Sequence, residues 1–184
     1  MKTNIIKFNL IISKALILLL TFFSLYACGN NSVDTSKYPQ LMDIYNAVVT
    51  AYGDDYRPNS PIEKESLTTI TGIKTDDIDE FIAEMPMISE SLDTFIAIKA
   101  IKGKGTDIET ELFKYQVFVA NESFQYPLNQ VKAKASKVIR QGDYVFFIML
   151  GASNPAENPT EAEALTFAEE QTKIGTDVIN AMFK

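Results

Sequence analysis

Apolar residues along this chain fall into blocks of different period, each with its own punctuation. Residues 1–14 carry Lys2, Lys7 and Lys14, residues 15–26 are largely apolar, and the block closes on Leu25-Tyr26-Ala27-Cys28. Crossing hydrocarbon takes roughly 20 apolar residues, and Lys14 cuts this run short of that. The pattern predicts an export leader over 1–27 with cleavage between Ala27 and Cys28. Residues 29–37 are polar and without periodicity, which predicts a coil with a reach of roughly 16 Å.

Beyond residue 37 the helical period sets in. Leu41, Ile44, Val48 and Tyr52 share one face of a helix, with Ser36 and Pro39 at its start and Gly53 as its stop. After a turn-rich connector over 54–59, Ser60-Pro61-Ile62-Glu63 has the spacing of a capping box, predicting a short helix over 62–70 that ends at Gly72. Thr75 is positioned to cap a third helix, in which Ile78, Phe81, Ile82 and Met85 share a face until Pro86.

Residues 93–101 are rich in strand formers, and Gly103 and Gly105 close them. Thr106 to Glu109 predict a second capping box, opening a helix with Ile108, Leu112, Tyr115 and Val119 at helical spacing. A connector over 124–133 has room for one helical turn from Pro127. Segments 136–141 and 144–150 flank Gly142-Asp143, a pair suited to a two-residue hairpin turn with positive φ at its first position. Thr160 and Glu163 predict a capped C-terminal helix reaching Met182, with Gly175 in its middle as a place to bend.

The expected fold class is α+β: a helical N-terminal half, then β-α-β-β-α with a small three-stranded mixed sheet covered by helices. A right-handed crossover and a hairpin give the spatial strand order one, three, two. Segment 144–150, apolar at nearly every position, is expected between the other two and covered on both faces. The expected organisation is a leader over 1–27, a lipidated cysteine and tether over 28–37, and one domain over 38–184.

Composition sharpens the address more than the activity. With the three leader lysines removed, 14 basic residues face 24 acids, a net charge of −10. That balance argues against nucleic acid, whose phosphates demand basic surface, and against electrostatic adhesion to anionic lipid. Cys28 is the only cysteine, so no disulfide forms within the chain, and its place after Leu25-Tyr26-Ala27 resembles a lipobox. A thiol there is the nucleophile that accepts diacylglycerol, and two acyl chains hold stably where one is marginal. Tyr26 is bulkier than that pattern usually carries. The expected location is the extracytoplasmic face of the cell membrane, held by lipid at Cys28.

The stretch 67–150 resembles the domain of unknown function family DUF4358, found in lipoproteins of Gram-positive bacteria, chiefly clostridia and their relatives. The matching features are Gly72-Ile73 before an acidic segment, Glu84-Met85-Pro86-Met87 after it, Phe95 to Lys99 as a strand ending in lysine, and Gly142-Asp143-Tyr144-Val145-Phe146-Phe147 as turn and strand. The family pattern carries an acid where Thr94 lies and an arginine near Tyr115, and this chain has neither. The resemblance implies an address and a fold, and no reaction.

The chain has no histidine, which removes the commonest general base near neutral pH, the His-dependent nucleophile systems and the usual zinc and iron ligand sets. Asp76, Asp77, Asp79 and Glu80 read first as dipole-stabilising residues of a helix start, and they lack the spacing of a calcium loop. Asp54 and Asp55 read as turn residues. Gly103-Lys104-Gly105 precedes a helix and invites comparison with a phosphate cradle, but the dinucleotide and Walker patterns are absent. Ser153, in Gly151-Ala152-Ser153-Asn154-Pro155, has no base to activate it. Lys99, in an apolar strand, either reaches water at the sheet end, the favoured reading, or meets a carboxylate. Phe113 and Val117 sit off the apolar stripe of their helix and offer a patch for a partner.

No catalytic, cofactor-binding or metal-binding residue is expected, and no cofactor. The expected partners are the membrane, through the lipid, and an envelope protein or wall polymer, with no nucleic acid. The expected role is a non-enzymatic binding or interaction module of the cell envelope. The alternatives weighed against it are a small-ligand or cation-binding lipoprotein and, behind that, a histidine-free carboxylate hydrolase.

Overall fold

The computed structural model describes residues 38–87, 91–122 and 127–184, the side chains of Pro127 and Leu128 excepted. Ser36, Ala27, Cys28, the rest of the leader and tether, and connector residues 124–126 lie outside them.

Five helices and five strands follow in order among the described residues: α1 (Leu41–Tyr52), β1 (Ser60–Pro61), α2 (Lys64–Thr71), β2 (Ile78–Met85), β3 (Thr94–Ala100), α3 (Gly105–Asn121), α4 (Pro127–Ala135), β4 (Lys137–Gln141), β5 (Tyr144–Met149) and α5 (Glu161–Met182). The strands form one sheet in the order β1-β2-β3-β5-β4, antiparallel at every neighbouring pair. The fold is α+β, but a five-stranded antiparallel sheet replaces the expected three-stranded mixed one.

The added strands have a local cause. Ile78 lies opposite Ala100 and Glu80 opposite Lys99, so Asp79 is one residue too many and the strand bulges there. Beyond the bulge, side chains alternate between faces, and the extra residue puts Ile78 and Phe81 on one face three positions apart. That spacing is what a helix would show. Ile82, assigned to the same face by the helical reading, points to the opposite side of the sheet.

β1 pairs with the far end of β2, Ser60 with Met85 and Pro61 with Glu84. It stands at the sheet edge, where a proline without an N–H is tolerated. The capping box expected at Ser60 to Glu63 therefore does not form. Helix α2 begins at Lys64, without a side-chain cap, and ends at Gly72 in the left-handed conformation.

Alternation along β3 and β5 divides the core in two. Ile96, Ile98, Val145, Phe147 and Met149 meet Leu67 of α2 and Ile108, Leu112 and Val119 of α3. On the other face Phe95, Ala97, Phe146, Ile148 and Leu150 meet Leu41, Ile44, Val48 and Tyr52 of α1 and Ile179 of α5. Helices on both sides explain why β3 and β5 are apolar almost throughout. Helix α4 starts at Pro127 as expected but runs nine residues rather than one turn, and packs against both α3 and α5.

The caps of α3 and α5 differ in origin. At α5 the box is complete: the Glu163 amide donates to Thr160 Oγ1 at 3.3 Å, and the Thr160 amide to Glu163 Oε2 at 2.9 Å. The box expected at Thr106 to Glu109 is absent, because α3 already begins at Gly105. Its first amide is met from the β4–β5 hairpin, where Asp143 Oδ1 accepts from Gly105 N at 3.3 Å and also from Gly103 N, in the turn before the helix, at 3.0 Å. Gly142 takes φ 64° at the first turn position, and a Cβ on Gly105 would lie 2.5 Å from the Gly142 carbonyl oxygen.

Candidate functional site

Lys99, the acids of 76–80 and Gly103-Lys104-Gly105 lie toward one end of the sheet, and their charged groups are committed to one another or to the hairpin. Lys99, one residue before the end of β3, places Nζ 2.9 Å from both Asp79 Oδ2 and Glu80 Oε1. The bulge at Asp79 lets two successive carboxylates reach one ammonium across the β2–β3 pair. These hydrogen bonds, to Asp79 first and Glu80 second, raise the lysine's affinity for its proton. The reading in which Lys99 simply reaches water is thus corrected. The acids expected at a helix start stand instead in a short 3₁₀ turn, Thr75–Asp77, and at the beginning of β2.

Gly103-Lys104-Gly105 is no open anion cradle, since the carboxylate of Asp143 occupies the amides of both glycines. Lys104 turns the other way. Its Nζ donates to Asp107 Oδ2 at 2.8 Å and lies 3.4 Å from the largely buried Asp77. Asp107 is held below the usual carboxylate range by that hydrogen bond. Ser153 accepts from Arg57 Nη1 at 3.3 Å, and Asp54 and Asp55 lie in the 3₁₀ turn Gly53–Asp55.

A cavity of about 270 Å³ opens beside this cluster, between Gly72, Lys74 and Asp77 on one side and Asp107, Ile108 and Glu111 of α3 on the other. It falls just below the usual size of small-molecule sites. Each of its carboxylates faces a lysine from outside the lining: Asp77 and Asp107 share Lys104, and Glu111 meets Lys114 at 2.8 Å. Among the described residues no group of three or more acids, cysteines or histidines converges as a metal ligand set.

The opposite end of the sheet holds a buried polar network that sequence reasoning missed. Asp93, wholly buried just ahead of β3, pairs with Lys132 of α4 at 2.5 Å and accepts from Ser91 Oγ at 2.8 Å. Lys132 also donates to the Gly151 carbonyl at 2.8 Å. One residue on, the Ala152 amide donates to Gln171 Oε1 at 3.0 Å. The Tyr52 hydroxyl then stands between two backbone groups of α5, donating to the Gln171 carbonyl at 2.8 Å and accepting from the Gly175 amide at 3.1 Å. These are the two groups that would bond directly in an uninterrupted helix. A Cβ on Gly175 would sit 3.0 Å from that hydroxyl, which accounts for glycine here.

A second carboxylate is shared between phenols. Glu84 Oε2 accepts from Tyr56 at 2.8 Å and from Tyr45 at 3.1 Å, and both rings pack on Phe95. Burial, followed by the hydrogen bond to Glu84, makes Tyr56 a much weaker acid than usual. Phe95 is fully buried and the rings are in contact with one another, so the cluster is packing rather than an open aromatic cage.

Residues 51–150, more than half of the chain, match the family described as Domain of unknown function (DUF4358). The chain belongs to this family. No curated protein and no solved structure matches it.

The DUF4358 match spans β1 to β5 and both ends of the sheet just described. Thr94, at the start of β3, is buried, and its hydroxyl donates to the Leu92 carbonyl at 2.8 Å. The buried acid stands one residue earlier, at Asp93, and finds its cation on α4. The outer flank of α3 in the same domain carries Phe113, Val117 and Phe118, 58%, 39% and 49% exposed. Phe113 and Val117 lie where the sequence places them, off the core stripe. Phe118, next to Val117, belongs with them, offset from the core positions Leu112 and Val119.

Proposed function

We propose that this chain is a lipoprotein of the Gram-positive cell envelope, anchored by diacylglycerol on Cys28 to the outer face of the membrane, whose DUF4358 domain binds another envelope component without catalysing a reaction. The address rests on Leu25-Tyr26-Ala27-Cys28 after an apolar leader. The binding role is carried by one observation, the three exposed apolar side chains in adjacent turns of α3. Grouped apolar exposure of this kind marks interaction surfaces, and it favours a protein partner over a wall polymer. The cation-binding alternative is disfavoured because each acid of the cavity already faces a lysine.

The test places a photo-crosslinking amino acid at Phe113, Val117 or Phe118 in the exported protein, with Glu169 on the exposed side of α5 as control. A discrete protein adduct at the α3 positions, absent at Glu169, is the expected result. Uniform failure at all three α3 positions in intact cells would remove the binding role, whatever becomes of the lipid.

A further inference from the structure

We propose that the end of the domain where the chain enters, carrying Tyr38, Met42 and Ile101, rests against the bilayer surface. This rests on the lipid-anchored reading above and adds an orientation to it.

The first support is covalent. Ten residue steps separate Cys28 from Tyr38, a span of at most roughly 35 Å. A lipid on Cys28 therefore keeps Tyr38 close to the membrane. The second support is what surrounds Tyr38. Its ring lies 6.2 Å from that of Tyr144 and 6.1 Å from that of Phe183, and those two are 5.2 Å apart. Tyr144 opens β5 opposite Lys99, so this ring cluster sits at the end of the sheet where β3 gives way to Ile101. Tyr38, Met42 and Ile101 are 46%, 53% and 44% exposed. Tyrosine suits the lipid headgroup level, with an apolar ring and a polar tip.

Charge does not drive the contact. Lys99 faces two carboxylates, Asp79 and Glu80, and Lys104 two more, Asp77 and Asp107, so these groups leave this end acidic. What the surface offers is apolar and small, too weak to hold a free domain on a membrane. A short tether changes that, because the second contact becomes intramolecular, at an effective concentration in the millimolar range. The orientation also leaves the α3 patch free. Helix α3 begins at this end and packs back along the sheet, so Phe113 to Phe118 lie roughly 12 to 20 Å up its axis at 1.5 Å per residue.

The chain contains no tryptophan, so a single substitution supplies an unambiguous probe. Tyr38→Trp, Ile101→Trp and Phe113→Trp forms of the full-length lipidated protein are reconstituted into phosphatidylcholine vesicles with brominated acyl chains. Flotation reports anchoring, and tryptophan emission reports contact. The expected result is flotation of all three, with blue-shifted, quenched emission from the probes at positions 38 and 101 and unquenched emission from position 113. Protein that floats but shows no more quenching at 38 and 101 than at 113 overturns the orientation and leaves the anchor standing. Protein that does not float removes the anchor and the orientation with it.

Discussion

Two lysine–carboxylate pairs stand at opposite ends of β3, and they differ in what they do for the molecule. Lys99 meets Asp79 and Glu80 with all three side chains between 28% and 55% exposed, whereas Lys132 meets Asp93 at 13% and 0%. The exposed group holds its charges in a medium that already screens them, and such pairs are worth about 0–1 kcal/mol. In the buried pair neither charge can be removed alone, since the survivor has no water to turn to. Chemistry is the same at the two ends. Burial, and the backbone groups that complete the site, decide which pair the fold depends on.

The sharpest way to break the comparison is at Lys132. Lys132→Met strands a buried carboxylate and is expected to cost about 3–5 kcal/mol in urea unfolding, while Lys132→Met combined with Asp93→Leu recovers most of that loss. A double variant no more stable than the single one would show that Lys132 matters for its bonds to backbone rather than for its charge.

Tyr52 extends the same network into α5. Burial pushes its phenol up to about 12. The folded state then holds this proton more tightly than the unfolded chain, whose tyrosines ionise near about 10. That part of the stability is complete below about pH 10 and is lost as pH climbs to about 12. Tyr52→Phe is expected to cost about 1–2 kcal/mol through the two stranded backbone groups, and to delete one late-ionising phenol from an absorbance titration.

The exposed end should respond more weakly. Asp143→Ala uncaps α3 and is expected to cost about 1 kcal/mol, with faster amide exchange confined to the first turn of α3 and the Gly103 loop. Lys99→Ala should cost less than about 1 kcal/mol, shrinking further in salt. Its carboxylate partners raise the proton affinity of Lys99, so the contribution is complete below about pH 10.4 and disappears as pH rises through the higher folded value. A loss at Lys99 as large as at Lys132, measured in the same buffer, would erase the distinction between the two ends.

The two ends were also unequally visible in the sequence. Lys99 interrupts an apolar strand, so a single window of residues marks it. Asp93 and Lys132 are 39 positions apart, and Lys132 lies in the segment 124–133 that reads as connector. Only the packing of α4 on α3 and α5 brings the pair together. The same contrast runs through the fold. α1, β3, the Gly142 hairpin and α5 have local signals of one period each, with their own caps or turns. β2 carries two signals superposed: a β-bulge at Asp79 imitates helical spacing, and Pro86 imitates a helix stop. Two of the three capping boxes were decoys, one because Ser60 joins the sheet edge and the other because Asp143 caps α3 from a distant hairpin. Ala27 and Cys28 lie outside the described residues, so the address rests on sequence pattern alone.

That address is open to a direct measurement. Intact-mass and N-terminal analysis of the protein extracted from membranes of an expressing Gram-positive host should give a chain beginning at Cys28 and carrying diacylglycerol on its sulfur. Exported protein that begins elsewhere, or at Cys28 with a free thiol, would contradict the account at its root.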